Sequence, residues 1–277
     1  MRFVYLFSSL FVMTSALLGQ TKPAVQQNTM QTVEHLKNFQ VIEFRRYVVK
    51  QGEREHFAAY FESFFPEAFE QLGAVAAGSF YERNNPLGFT WIRAFPTLDD
   101  RPRVNSAFYY GPVWKEHKKL VNGLMTDSDN VLLLRPLTPE RSIAVLPAVD
   151  PVTEADGAHG VVVAEVFSVK PGDVDTFAQQ AEPIFAKYRE LGAREAGVLV
   201  TLDVPNNFPQ LPIRTDGPYL VWFGILENDK ALQSFNPVAE EFSSKLAAGN
   251  LLRAKPEIDV LDPTHRSRLR WLSTEQK

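Results

Sequence analysis

The residues best suited to chemistry lie on two predicted strands, where polar and aromatic side chains alternate with apolar ones. Glu43, Arg45 and Tyr47 alternate with apolar residues on the first strand, and Trp91 and Arg93 do so on another. Successive side chains of a strand point to opposite faces, so each polar set shares one face of its strand. A buried arginine or glutamate is costly unless it is paired or hydrogen-bonded. We therefore expect these residues to contact either one another or a charged ligand.

Two interpretations of this polar set are open. The first is a structural network of ion pairs. In the second, Arg45 and Arg93, supported by Tyr47 and Trp91, orient a carboxylate or enolate of a small ligand through bidentate hydrogen bonds. The sequence identifies no catalytic residue. The candidate ligand-binding residues are Glu43, Arg45, Tyr47, Trp91, Arg93 and Glu165.

Composition and motif content exclude several other kinds of chemistry. The 277 residues include no cysteine, so disulfides, thiolate nucleophiles and cysteine-ligated metals are excluded. With 29 basic and 33 acidic residues the net charge is −4, which gives no electrostatic signature for nucleic acid. No histidine pair has metal-ligand spacing, and no nucleotide-binding or hydrolase motif is present. We therefore predict no metal, no cofactor and no nucleic-acid partner.

His117 is the one histidine that attracts a functional interpretation. It lies three residues after Trp114 in a predicted helix, and therefore on the same side of that helix. A haem ligand or general base is one interpretation. The neighbouring lysines favour the other, a histidine on the helix surface.

Two halves of the chain share one pattern of predicted elements. The strand segments Val41–Gly52 and Val161–Gly172 both end in Lys-x-Gly, and their lysines lie 120 positions apart. A helical stretch follows each segment, with apolar residues at steps of three and four. Each stretch ends at a glycine, Gly73 or Gly192, where a left-handed backbone conformation closes a helix. Strand, strand, helix and strand follow, so each half is predicted to be a β-α-β-β-α-β unit of the ferredoxin-like kind.

The remaining segments complete the predicted organisation. A run of 16 residues at positions 203–218, between two strands of the second half, is either a lid or binding loop or a variable surface loop. The short basic tail near the C-terminus is expected to be a solvated end. The predicted regions are a signal peptide (1–20), a flexible tail (21–38), a first repeat (39–137), a linker (138–159), a second repeat (160–262) and a C-terminal tail (263–277).

The N-terminus is typical of an exported protein. Arg2 is followed by an apolar run, Phe3–Leu18, and then by small and polar residues, the pattern of a secretory signal peptide. The run is shorter than the roughly 20 residues that span a bilayer, and a retained anchor is the alternative. We therefore expect a secreted or periplasmic protein without a mature membrane span. Whether it is a monomeric barrel or a higher homo-oligomer is left open.

Several segments of the first half resemble the NIPSNAP domain family. The resemblance covers about residues 40 to 137 and rests on Ile42-Glu-Phe-Arg-Arg-Tyr47 with Lys50-x-Gly52, Trp91-Ile-Arg-Ala-Phe95, Leu98-Asp-Asp-Arg101 and Gly111-Pro-Val-Trp114. The family belongs to the dimeric α/β-barrel class, which includes small monooxygenases, haem-degrading enzymes and chlorite dismutases. No catalytic residue is established for it, so the resemblance implies a fold and no active site. The second half departs from the pattern, with Glu165 in place of Arg45 and Phe167 in place of Tyr47.

The resemblance implies an α+β fold in which two tandem ferredoxin-like βαββαβ repeats form a single-chain, dimeric-type α/β barrel. In that arrangement we expect the polar set to point into the barrel interior, and Ile42 and Phe44 to meet the helices. Arg45 and Glu165 then occupy equivalent interior positions and are expected to offset each other's burial.

Three functions are compatible with these observations. The leading one is an exported protein that binds a small organic ligand inside the barrel. The second is a cofactor-free monooxygenase acting on an activated aromatic or enolisable substrate. The third is a structural or protein-interaction module with a filled barrel. An interior cavity larger than roughly 300 Å³ favours the first two, and a packed interior favours the third.

Overall fold

A closed barrel of eight antiparallel strands forms the centre of the protein, as shown by a computed structural model that describes residues 34–272. The strand order around the barrel is β10-β3-β4-β2-β5-β8-β9-β7, and β7 pairs with β10 to close it. The barrel strands are β2 (Val41–Val49), β3 (Val75–Glu82), β4 (Gly88–Phe95), β5 (Met125–Pro136), β7 (Val161–Ser168), β8 (Arg194–Thr201), β9 (Tyr219–Leu226) and β10 (Glu257–Pro263). Two short strands, β1 (Glu34–His35) and β6 (Ala144–Val145), pair separately.

The helices lie between the strands in the order that the sequence predicts. The first half has α1 (Arg54–Phe64) and α2 (Pro66–Gln71) after its first strand, and α3 (Asp100–Tyr109) and α4 (Pro112–Leu124) after its third. The second half has one helix at each place, α5 (Val174–Glu190) and α6 (Asp229–Ala248). Gly73 and Gly192 follow the first helical segment of each half with φ of +95° and +92°, as expected for the left-handed position of a helix end.

Three apolar clusters define the layers of the molecule. One contains residues from all eight barrel strands and from no α-helix, so it is the barrel interior. The second combines α5 and α6 with the outward side chains of the second half's strands. The third combines α1–α4 with the outward side chains of β2, β4 and β5. The interior is therefore filled by apolar side chains, and each group of helices covers the outer face of its own strands.

The expected orientation of the polar set is wrong. Ile42 and Phe44 lie in the barrel interior, whereas Tyr47 and Trp91 belong to the layer under the helices. Because side chains alternate along a strand, Glu43, Arg45 and Arg93 also face the helices. Alternation shows which residues share a face, but both faces of this sheet are covered, so it does not show which face is the interior.

Segments outside the two predicted repeats complete the barrel interior. Ile143 of the predicted linker and Leu269 of the predicted C-terminal tail both belong to the interior cluster. Arg270 is 1% exposed and forms a bidentate ion pair with Glu154, at 2.7 and 2.6 Å. The expectation of a solvated basic end is therefore wrong for Leu269 and Arg270, which find an apolar site and a carboxylate, whereas His265 and Arg266 are exposed.

The structure contains no helix among its described residues that is long and apolar enough to cross a membrane. The predicted signal peptide lies outside the described residues.

Candidate functional site

Glu43, on β2, lies at the centre of a buried cluster of charges. Its Oε2 accepts hydrogen bonds from Arg45 Nη1 at 2.8 Å and from Arg93 Nη2 at 2.5 Å, and its Oε1 accepts one from Arg101 Nε at 2.7 Å. All four side chains are at most 1% exposed. Burial by itself raises the pKa of Glu43, but the charges of Arg93, Arg45 and Arg101 outweigh it and hold that pKa well below its usual range. We call these four residues the arginine cluster.

Tyr47 and Trp91 support one side of the arginine cluster. Arg45 Nε donates a hydrogen bond of 2.8 Å to the Tyr47 hydroxyl, and the Arg45 guanidinium carbon lies 5.5 Å from the centre of the Trp91 ring. Burial raises the pKa of Tyr47, so its hydroxyl is neutral at physiological pH. These two residues therefore position Arg45 without balancing its charge.

Arg93, on β4, is surrounded by aromatic rings. Its guanidinium carbon lies 4.6 Å from the ring centre of Phe69, 5.1 Å from those of Trp91 and Phe95, and 6.0 Å from that of Tyr109. Guanidinium groups are attracted to the faces of such rings, and the effect is larger when water is excluded. The rings therefore stabilise a buried cation and hold it in one orientation.

Helix α3 contributes residues that the sequence analysis did not select. Arg101, Asn105 and Tyr109 are spaced by four and share one side of the helix. Arg101 and Asn105 are completely buried, although both are polar. A polar residue every fourth position on the buried side of a helix is a signal that sequence inspection could have used. In the sequence, the Leu98-Asp-Asp-Arg101 segment is marked only by its resemblance to the NIPSNAP family.

The loop at positions 203–218 reaches the cluster from the other half of the chain. Asn206 Oδ1 and Asn207 Oδ1 both accept hydrogen bonds from Arg101 Nη1, at 2.9 and 2.8 Å. Asn207 Nδ2 also donates to the Leu98 carbonyl at 2.8 Å, and Phe208 is 5% exposed beside the Tyr109 ring. The loop is therefore packed against the first half through its two asparagines, and a role in ligand binding stays a prediction.

Several buried polar atoms of this region have no partner among the described residues. They are Trp91 Nε1, Arg93 Nη1, Arg101 Nη2 and both side-chain polar atoms of Asn105. Buried donors are nearly always hydrogen-bonded, because an unsatisfied donor loses its bonds to water without replacement. Unpartnered donors next to three guanidinium groups can bind an anion. The arrangement offers no nucleophile, since its one carboxylate is occupied by arginines.

Five of the six predicted site residues are brought together and the sixth is not. Glu165, on β7, lies under α5 and α6, where it accepts hydrogen bonds from the Tyr188 hydroxyl at 3.0 Å and from Ser243 Oγ at 3.3 Å. Burial raises the pKa of Glu165 to about 8. The predicted pairing of Arg45 with Glu165 is wrong, because each faces the helices of its own half and the barrel separates the two layers.

His117 lies on the outer side of the helical layer. Its Nδ1 is 2.6 Å from the Tyr60 hydroxyl, and its ring stacks on Phe64 at 3.9 Å between centres.

Within residues 34–272 no group of three or more histidine, aspartate or glutamate side chains is placed to hold a metal ion. A cleft of about 50 Å³ lies between α1–α2 and residues 266–268, and it is well below the roughly 300 Å³ of typical ligand pockets.

Comparisons with known proteins support the architecture. No protein-family model and no curated protein sequence matches the chain. The fold is similar to that of an anthrone oxidase-like protein, at 13% identity and a TM-score of 0.57, over 88% of this chain and 100% of that one. It is also similar to a candidate monooxygenase from Fusobacterium nucleatum, at 11% identity and a TM-score of 0.55, over 86% and 99%. A NIPSNAP domain protein from Burkholderia xenovorans matches 35% of this chain and 93% of its own at 15% identity, with a TM-score of 0.32.

These likenesses define a class of fold. The chain shares its fold, a closed, eight-stranded antiparallel barrel with outer helices, with the anthrone oxidase-like protein and the candidate monooxygenase. Membership of the NIPSNAP family stays a prediction.

Proposed function

We propose that the protein binds a small organic anion at the arginine cluster, in the layer between the barrel and α1–α4. The observation that carries this proposal is the group of buried donors, Arg93 Nη1, Arg101 Nη2 and Trp91 Nε1, that have no acceptor among the described residues. A carboxylate or enolate would supply those acceptors and offset part of the buried positive charge. Apolar side chains fill the barrel interior, which is the arrangement expected of a structural or protein-interaction module, so the proposed site lies outside that interior.

Ligand-induced stabilisation tests this proposal. The melting temperature of residues 21–277 would be measured with benzoate, phthalate, butyrate and succinate as probes at low salt. A ligand that binds only the folded state raises the melting temperature in a concentration-dependent manner. We expect a rise with at least one of the four anions, and we expect Arg93→Gln to abolish it.

The matched control is Arg103→Gln. Arg103 is on the same helix as Arg101, but its side chain is 59% exposed and pairs with Asp100. This variant should keep the full response to the anions. If none of the four probes changes the melting temperature, or if Arg103→Gln removes the response as Arg93→Gln does, the proposal is wrong.

A monooxygenase-like activity is the second candidate. It is supported by a cluster of guanidinium groups suited to an enolate, and by the names of two proteins with the same fold, an anthrone oxidase-like protein and a candidate monooxygenase. Oxygen uptake with anthrone as the probe tests it. We expect uptake above the uncatalysed rate that Arg93→Gln removes. Equal uptake with and without protein would exclude this substrate.

Two statements about origin and location complete the proposal. We propose that the halves are tandem repeats, which is supported by their shared order of strands and helices and by the parallel positions of Gly73 and Gly192. We also propose that the protein is exported, supported by the apolar run Phe3–Leu18 after Arg2. N-terminal sequencing from the native host should find a chain that begins near Gln20 or Thr21, and an intact Met1 in a cytosolic fraction would contradict export.

A further inference from the structure

The buried charges of the arginine cluster do not balance. The guanidinium groups of Arg45, Arg93 and Arg101 carry three positive charges, and each side chain is at most 1% exposed. Among the described residues, Glu43 provides the one carboxylate within 4 Å of any of them. Three positive charges and one negative charge leave a net charge of two. Isolated charges in a low-dielectric interior are strongly unfavourable, so a counter-charge of equal size stabilises this layer.

The neutral groups around the cluster do not supply that counter-charge. Tyr47 and the two loop asparagines, Asn206 and Asn207, accept hydrogen bonds from the arginines, but they do so as an uncharged hydroxyl and uncharged amides. They satisfy individual donors and leave the excess positive charge in place.

The unpartnered donors are also enough for two carboxylates. Trp91 Nε1, Arg93 Nη1, Arg101 Nη2 and Asn105 Nδ2 are four buried nitrogen donors without an acceptor among the described residues, and Asn105 Oδ1 is an acceptor without a donor. One carboxylate can accept from two donor nitrogens in a bidentate arrangement, so these nitrogens suffice for two carboxylates. The charge of the ligand is indicated by the excess of buried positive charge, and the donors are compatible with it.

Aromatic rings surround the Arg93 guanidinium, so an organic anion bound to it would have an apolar environment for its carbon body. Phe69, Phe95 and Tyr109 present their rings within 4.6 to 6.0 Å of the Arg93 guanidinium, and Phe208 packs beside Tyr109. Such rings contact an apolar body favourably and exclude water from the charges.

We infer that the ligand of the arginine cluster is an organic dianion, of which a dicarboxylate is the simplest form. This inference rests on the proposed function and narrows it to a class of ligand. Within the arginine cluster, Arg93 and Arg101 are the cations with a buried donor that lacks an acceptor among the described residues, so each is assigned one anionic group. Asn105 and Trp91 add neutral hydrogen bonds that orient them.

Calorimetric titration with matched pairs of probes tests the inference. Succinate and butyrate have the same number of carbons but different charge, and phthalate and benzoate share one aromatic ring. At low salt we expect the dianion of at least one pair to bind about tenfold more tightly than its monoanion, or better. If monoanions bind as tightly as dianions, the inference is wrong and the proposed function stands. If none of the four binds, the proposed function fails with it.

Variants locate the source of the preference. Arg101→Gln removes one of the two excess charges, so it should reduce the dianion-to-monoanion affinity ratio towards one while monoanions still bind. Trp91→Phe removes a neutral donor and no charge, so it should weaken both probes of a pair by a similar factor and keep the ratio. Arg103→Gln, the exposed control on the same helix, should leave both affinities unchanged. Circular dichroism would establish that each variant is folded. If folded Arg101→Gln keeps the dianion-to-monoanion affinity ratio of the original protein, the inference is wrong. It is also wrong if Trp91→Phe loses that ratio.

Discussion

Glu43 is the residue on which the stability of the first half's helical layer depends most directly. Its carboxylate binds three guanidinium groups, and all four side chains are buried. Glu43→Gln keeps the size of the side chain and removes its charge, which leaves three buried cations uncompensated. Because removing one partner from a buried ion pair costs about 3 to 5 kcal/mol, we expect a loss of that size in the free energy of unfolding. Urea denaturation measures it.

The control for this prediction is Glu55→Gln. Glu55 is 70% exposed and pairs with Arg54 at 3.5 Å, so its loss should change stability by less than about 1 kcal/mol. Similar losses in the two variants would show that the Glu43 ion pairs contribute no more than surface pairs do.

Glu165 makes the stability of the second half depend on pH. Burial raises its pKa to about 8, and no cation is among its hydrogen-bond partners in the described residues, which are Tyr188 and Ser243. Between roughly pH 5 and pH 8 the folded protein holds a proton that the unfolded chain has released, so this group lowers stability as pH rises. We expect the free energy of unfolding of Glu165→Gln, relative to the original protein, to increase over this range by up to about 4 kcal/mol.

The comparison isolates Glu165 because other titrating groups affect both proteins equally. Glu190→Gln is the control, since Glu190 is an exposed glutamate on the helix that also carries Tyr188, and its pairing with Lys187 lowers its pKa. Its titration therefore lies below pH 5, and the control curve should run parallel to that of the original protein. Parallel curves for Glu165→Gln as well would show that Glu165 is ionised throughout.

Among the elements, the loop at positions 203–218 is the one that joins the halves at the candidate site. It belongs to the second half, and its asparagines bind Arg101 of α3 in the first half. We expect Asn206→Ala combined with Asn207→Ala to release the loop, because two hydrogen bonds to a charged group are lost, each worth about 1.5 to 3 kcal/mol. Limited digestion with trypsin should then cut faster after Arg214, which lies in the loop.

Gln210→Ala is the matched control for the loop. Gln210 donates one exposed hydrogen bond to the Tyr110 hydroxyl at 3.2 Å and does not contact an arginine of the cluster. Its cleavage rate should stay close to that of the original protein. If the double variant is digested no faster than this control, the asparagines do not hold the loop.

At the scale of the whole molecule, closure of the barrel makes each half depend on the other. The halves join where β5 pairs with β8 and where β10 pairs with β3. Residues 38–140 alone would expose the edges of β3 and β5 together with the apolar inner face of four strands. We expect this fragment to aggregate or to self-associate, as measured by light scattering. A stable, soluble, monomeric fragment would contradict this interdependence.

The sequence by itself determined the order and approximate bounds of the elements. The signals are local: apolar residues at steps of three and four in the helices, alternating side chains in the strands, and glycines after the first helices. Local backbone geometry depends on such signals, so they predict the elements. The predicted stretch Glu53–Leu72 is observed as α1 and α2, and Asp173–Leu191 as α5. The sequence also identified Glu43, Arg45 and Arg93 as residues on a shared face, and these three do form one network.

Only the tertiary structure shows which side of the sheet Glu43, Arg45 and Arg93 face, and which other residues complete the site. A strand in a barrel is covered on both sides, so alternation alone does not distinguish the interior from the layer under the helices. Arg101 meets Asn206 and Asn207 across 105 and 106 positions of sequence, and no local pattern encodes such a contact. The sequence aligns Glu165 with Arg45, yet Glu165 binds Tyr188 and Ser243 of the helices that cover the second half. The partners of a buried charge depend on how elements distant in sequence pack together, and that packing exists only in the folded molecule.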